Sequence, residues 1–408
     1  MRRHLPGFKQ LADFGIATKL GLIVGVLAIP ICALLFLQYQ DRQAATSQSQ
    51  SESHGLDYVA AVIPFMREVQ LHRGLSERVL RGDEAARANM ERTAAAADAA
   101  LANINDLDKK WGNDFKTKDV LTFLNTQWPI ARDAKASTTE SNAAHNAVID
   151  QGVFPLISTV AVESRLVLDP DLDNRNVIEA LTETLPRLTE SLSQMRGTGA
   201  GALTARKGLD AAPETKQFLA GQMSLASFQS DQLSHQLETA MAANNQFETL
   251  LRPTLKRSQN SQAVFLDNTR DQIIDAPTLS STGAEGYFLL GGSAIDLSNE
   301  LLASATDALQ TNFNDRSDAA KSHFATYGAA STVGIVLALG LALFISASIT
   351  RPMTHLAEVA DRMSLGELDV DIDVEGNNEI GQLAESLRRM QSSLRSAIER
   401  LRQRRTAA

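Results

Sequence analysis

The residues in this sequence best suited to chemistry are arginines placed beside glycine. Met66-Arg-Glu-Val-Gln-Leu-His-Arg-Gly-Leu75 and Leu188-Thr-Glu-Ser-Leu-Ser-Gln-Met-Arg-Gly-Thr198 each carry an apolar helical face into an Arg-Gly pair. Arg73 and Arg196 close the two segments. Arg78 follows the first, and Arg206 follows the second across a glycine-rich step at Gly197, Gly199 and Gly201. A guanidinium at an interface between helices offers forked donors to a small anion. Arg73, Arg78, Arg196 and Arg206 are therefore the candidate ligand-binding residues. Arg78 lies five positions after Arg73, a turn of roughly 140° on an ideal helix, so the two are separate candidates rather than one clamp. In the competing reading these arginines are solvated or paired with the chain's abundant acids, and no site exists.

Other chemistry is poorly served. Cys32 is the single cysteine, which excludes an internal disulfide and a cysteine-rich zinc site. The seven histidines form no H-x-x-x-H pair, and no nucleophile–base motif stands out. The expectation is no enzyme, no metal and no cofactor. A formal charge of −9, from 39 basic and 48 acidic residues, argues against a nucleic-acid partner. Aromatics are sparse, at 15 Phe, 4 Tyr and 2 Trp in 408 residues. The prominence of Ala, Leu, Gln, Ser, Glu and Arg is a helical vocabulary, so an all-α fold is expected.

Two apolar runs divide the chain. Leu20 to Leu37 and Phe324 to Thr350 contain no charged residue. At 1.5 Å per residue the first covers about 27 Å, close to a bilayer core, and the second is longer; Pro30 is tolerable in such a helix. The first run has a basic start but no small-x-small cleavage site after it, so it reads as an anchor rather than a cleaved signal. Arg2, Arg3, Lys9 and Lys19 precede it, which places the N-terminus in the cytoplasm. Two spans then return the C-terminus to the same side, with Tyr39 and Tyr327 at the outer ends. The expected layout is a cytoplasmic tail (1–19), a first span (20–38), an outer segment (39–326), a second span (328–350), an inner relay (351–401) and a tail (402–408). The expected protein crosses the membrane twice, in contact with lipid. The outer segment shows helical spacing, as in Leu185, Leu188, Leu192 and Met195. Turns are expected at Asp169–Asn174 and Lys207–Pro213, and helix starts at Pro213, Pro253 and Pro277. Its length favours two helical modules, stacked or side by side, over a single bundle of longer helices.

After the second span, Met353, Leu356, Ala360 and Met363 form one coiled-coil stripe. Gly366 ends that helix. Leu368, Val370, Ile372 and Val374 alternate like an extended connector, and a second stripe runs through Ile380, Leu383, Leu387, Met390, Leu394, Ile398 and Leu401. Two such helices cannot bury their stripes alone. The segment 349–401 resembles a HAMP linker of bacterial chemoreceptors and sensor kinases. Pro352, Gly366, Glu379, Gly381, Leu383 and Met390 match the family pattern, with Asn378 where an Asp is usual. The resemblance implies a parallel four-helix coiled coil in a homodimer, and assigns those six residues to signal relay.

The outer segment adds weaker likenesses. Val69-Gln-Leu-His-Arg-Gly-Leu-Ser76 resembles the opening helix of nitrate- and nitrite-sensing domains, with His72 where an acid is usual. A two-module layout is similar to helical bimodular sensors, and Gly283-Ala-Glu-Gly-Tyr-Phe-Leu-Leu-Gly-Gly292 looks like the last sensor segment of chemoreceptors. Together these imply the input half of a methyl-accepting, chemoreceptor-like protein that senses a periplasmic small molecule, with an anion the ligand class its arginines suit. Its output would come from a further signalling domain or from a cytoplasmic partner. The alternatives are a sensor histidine kinase's input half and a membrane-anchored helical interaction protein without ligand.

Overall fold

A computed structural model describes residues 16–205, 211–279 and 283–406. Its described elements are all helical, and no strand occurs among the described residues. The chain divides into two compact units, Ala44–Ala319 and the pair Met1–Gln43 with Ala320–Ala408. The helices are α1 (Ile16–Leu80), α2 (Arg87–Phe115), α3 (Lys118–Asp133), α4 (Thr138–Val148), α5 (Phe154–Glu163), α6 (Leu172–Glu179), α7 (Leu185–Ala205), α8 (Pro213–Ala243), α9 (Asn245–Thr269), α10 (Ala284–Ser364) and α11 (Glu379–Thr406). π-helical turns at Ile149–Val153 and Ala180–Thr184 join α4 to α5 and α6 to α7, and a third, Arg270–Ile274, closes α9.

Local chemistry sets these boundaries. Ser137 Oγ accepts from Glu140 N at 3.1 Å, a side-chain cap at the start of α4. Pro213 occupies the first turn of α8, where a missing N–H costs nothing. Asn244 caps α9 by accepting from Gln246 N. Pro253 behaves differently from the expectation. It lies inside α9, because Phe247, Leu251 and Leu255 bury the helix on both sides of it. Pro277 lies in the loop after the third π turn, ahead of α10 rather than at its first residue.

In the Ala44–Ala319 unit, one continuous hydrophobic core joins all the helices. Its largest members are Tyr58 and Phe65 from α1, Trp128 from α3, Phe247 and Phe265 from α9, and Tyr287 and Phe313 from α10. Phe65 and Trp128 meet edge to face at 5.9 Å. The two Arg-Gly segments meet in this core. A Cβ on Gly197 would lie 3.3 Å from Gly74 Cα, so the paired glycines let α1 and α7 cross closely.

In the other unit, Gly21–Gln40 and Ala325–Ser364 are the two helical stretches long and apolar enough to cross a membrane among the described residues, and the most apolar window of each is not buried by protein. Leu22, Ile23, Val26, Val333, Val336 and Leu337 are all exposed, unlike the core helix of a water-soluble domain. Beyond them, Leu356, Val359, Met363, Ile372 and Ala384 form a second small core, with Val370, Val374, Ile380 and Leu387 against it. The alternating connector is held through its carbonyls. Arg388 donates to Val374 O at 2.6 Å, and Gln391 donates to Leu368 O and Val370 O at 2.9 and 2.6 Å.

Candidate functional site

The sequence candidates separate once their partners are seen. Arg73 is buried, and its Nη1 donates to Glu190 Oε1 at 2.6 Å and to Asn146 Oδ1 at 2.7 Å. Its Nη2 donates to Glu190 Oε2 at 3.1 Å and to Ser193 Oγ at 3.2 Å. Gln70 and Gln194 donate to the same carboxylate. Arg73 is thus a bound, satisfied cation. Asn146 stands just before the first π turn and Glu190 on the helix just after the second, so both irregular turns adjoin elements that hold this arginine.

Next to it lies a pair of buried histidines. His145 Nδ1 lies 2.6 Å from Ser141 O, a group that can only accept. His145 therefore carries its proton on Nδ1 and leaves Nε2 as acceptor. His72 Nδ1 donates to that nitrogen at 2.7 Å. The rings stack at 5.0 Å, and Trp128 stands edge-on to both. Burial, then the positive field of Arg132, pushes His72 down to about 4. Burial, then His72 itself, pushes His145 down to about 3. Both rings are neutral in the fold.

Arg78 is also paired, to Asp83 and to Glu285, each at 2.5 Å. Arg206 lies outside the described residues. Arg196 is the exception. It is 4% exposed, makes no ion pair among the described residues, and has one hydrogen bond, Nη2 to Gln70 O at 3.3 Å. Its Nε has no partner. Burial, reinforced by Arg73, pulls its pKa down to about 10. The guanidinium lies 4.8 Å over the Phe288 ring, and Arg78 stands 4.9 Å from that ring too. Gly291 makes room for this: a Cβ there would come within 2.9 Å of Arg196 Cβ and Cγ.

Two cavities adjoin Phe288. One, of about 510 Å³, is lined by Arg196, Arg67, Asp296, Ser293 and the apolar Leu71, Phe288, Leu289, Ile295 and Leu297. The other, of about 370 Å³, is lined by Arg78, Arg92, Glu68, Glu285 and again Leu71, Phe288 and Leu289. Arg67 and Asp296, both in the lining of the larger one and both exposed, pair with each other at 2.9 Å. No group of His, Cys, Asp and Glu that could hold a metal occurs among the described residues.

Sequence reasoning missed Glu190, Asn146, the histidine pair and Phe288. Glu190 had a local signal, an acid set within the apolar run Leu188, Leu192, Met195. His145 and Asn146 had none.

The six residues that match the HAMP pattern lie on α10, the connector and α11. Pro352 lies inside α10. Gly366 has φ +94°, a left-handed conformation suited to glycine, and stops the helix. Glu379 opens α11, and Asn378 caps it by accepting from Gly381 N at 3.0 Å, so the amide fills the capping role open to an Asp. A Cβ on Gly381 would overlap the Gly376 carbonyl. Leu383 and Met390 remain 43% and 47% exposed, while Ala384 and Val359, absent from the stripes read in the sequence, are buried.

Residues 344–396 match the HAMP domain. The chain is similar to a sensory transducer protein of Acetivibrio thermocellus, 46% identical over 63 residues, 15% of this chain and 11% of that one. It is also similar to methyl-accepting chemotaxis protein TlpB of Bacillus subtilis and to methyl-accepting chemotaxis protein I of Escherichia coli. Each of these is 42% identical over 66 residues, 16% of this chain and 10% and 12% of theirs. The matches thus span about a tenth of those relatives. No solved structure matches the chain.

Proposed function

We propose that this chain is the input half of a chemoreceptor-like transmembrane transducer. Residues 39–326 face the periplasm and bind a small anion at Arg196. The spans at 20–38 and 328–350 anchor the chain in the inner membrane with both termini in the cytoplasm. Residues 351–401 form the HAMP relay of a homodimer, with Pro352, Gly366, Glu379, Gly381, Leu383 and Met390 in that role, and a signalling domain or partner in the cytoplasm reads it. The names of the relatives favour a chemotaxis output over a kinase.

The observation that carries the reading is Arg196. A buried guanidinium without an anion is costly, and this one faces a cavity lined by α10, the helix that also supplies the first HAMP stripe. An anion seated there differs in affinity between two positions of α10, and only such a difference moves an equilibrium between signalling states. Arg73 and Arg78, already paired, contribute by holding α1 against its neighbours.

The test is a thermal-shift series on the full chain in lipid nanodiscs with nitrate, acetate and benzoate at matched ionic strength. At least one anion raises the unfolding midpoint of the wild type, and Arg196→Ala abolishes the rise. If none does, or the rise survives Arg196→Ala, the reading fails.

A further inference from the structure

Resting on the anion reading, we infer that the Arg196 cavity is built for an organic monocarboxylate with an apolar body, rather than for an inorganic oxyanion.

Size is the first argument. An inorganic oxyanion fills roughly the space of two waters, ~60 Å³ at ~30 Å³ each. The cavity holds about 510 Å³, within the range of sites that enclose whole organic molecules. The lining is the second. Arg196 lines one side, and a guanidinium carries the paired N–H donors that a carboxylate engages with two parallel hydrogen bonds. The remaining wall is largely Leu71, Phe288, Leu289, Ile295 and Leu297. An oxyanion would use the arginine and leave those side chains against water.

Leu289 is the third argument. It is 61% exposed on α10 while its neighbours Tyr287 and Phe288 are buried. An apolar ligand body lying on Phe288 would cover it. Charge agrees as well. The lining carries two cations, Arg67 and Arg196, and one anion, Asp296, and Asp296 is taken up by Arg67. Arg67 also pairs with Glu68 at 3.4 Å, which leaves Arg196 as the lining cation without an ion pair among the described residues.

Titration calorimetry on the full chain in nanodiscs, with benzoate, isovalerate, nitrate, chloride and neutral benzamide as probes, tests the inference. Benzoate or isovalerate binds at least tenfold more tightly than nitrate, and benzamide does not bind. Arg196→Lys, which keeps the charge but loses the fork, weakens the carboxylate about 10-fold or more. Leu289→Gln is a surface change that leaves folding intact and weakens benzoate several-fold without altering nitrate. If nitrate binds through Arg196 as tightly as the carboxylates, the inference falls and the anion reading stands. If no probe binds, or Arg196→Lys changes nothing, both fall. If the carboxylates bind but Leu289→Gln has no effect, the apolar wall is not part of the site and the inference falls alone.

Discussion

Acidification should loosen the Ala44–Ala319 unit through His72 and His145. Both are neutral in the fold, held near 4 and near 3 chiefly by burial, whereas an unfolded histidine titrates near ~6.5. Above about pH 7 neither state is protonated and the contribution is complete. As pH falls below 6.5, the unfolded chain takes up two protons that the folded chain refuses, so stability falls with pH. The slope is about 1.4 kcal/mol per unit for each histidine until the folded values are reached. From pH 7 to pH 5 the pair costs roughly 4 kcal/mol. For a unit of this length, at roughly 0.6 kcal/mol per degree, the midpoint drops by about 7 °C. Glu52, Asp57, Glu68 and Asp150 have carboxyls raised chiefly by burial, and their effect runs the other way. The measurement is therefore a difference between wild type and His72→Leu/His145→Leu. Removing both partners of a buried hydrogen bond is far milder than removing one, so the double variant folds. Unfolding of the full chain in micelles is followed by fluorescence of Trp128, which touches both rings. Wild type should lose about 7 °C more than the variant between pH 7 and pH 5. Parallel curves, within about 2 °C, would refute the buried neutral pair.

Arg73→Ala strips the buried Glu190 of its cation and should cost about 3–5 kcal/mol, a midpoint drop of roughly 5–8 °C; Arg73→Ala/Glu190→Ala should recover part of it. Gly381→Ala forces the connector away from α11 at a cost of about 1–3 kcal/mol, read as roughly tenfold faster cleavage at Glu375 by a glutamate-specific protease while the midpoint of the Ala44–Ala319 unit stays fixed. Met390→Cys in a Cys32→Ser background should form an oxidised dimer in membranes, whereas Glu385→Cys, on the opposite side of α11 from Leu383, should not; equal cross-linking at both positions would count against a parallel HAMP pair.

The legible parts of this protein were those whose signal is local. A run of uncharged residues, a proline at the first turn of α8, and a glycine that stops a helix at φ +94° each act within a few residues of themselves. The Arg-Gly echo was legible as a repeat. Its physical cause, two glycines letting α1 and α7 touch, needs a partner 123 positions away. The candidate site was legible only as a list of arginines. Which of them is satisfied depends on Glu190, 117 positions from Arg73, and on Glu285, 207 positions from Arg78. Spacing along one helix cannot report such distances. Pro253 shows the same limit from the other side, since tertiary burial of Phe247, Leu251 and Leu255 overrides a local helix-start preference.

The second HAMP stripe carries this logic further. Ile380, Ala384 and Leu387 turn toward the small core, but Leu383, Met390, Leu394, Ile398 and Leu401 stay exposed. The stripe read in the sequence thus splits between what one chain can cover and what it cannot. A helix that leaves five large apolar side chains in water is incomplete by the hydrophobic effect alone, at about 1.5–3 kcal/mol for each that could be buried. A second copy presenting the same edge would cover them. The same rule reads both units: an unsatisfied group, Arg196 in one and the Leu383–Leu401 edge in the other, states what kind of partner it lacks.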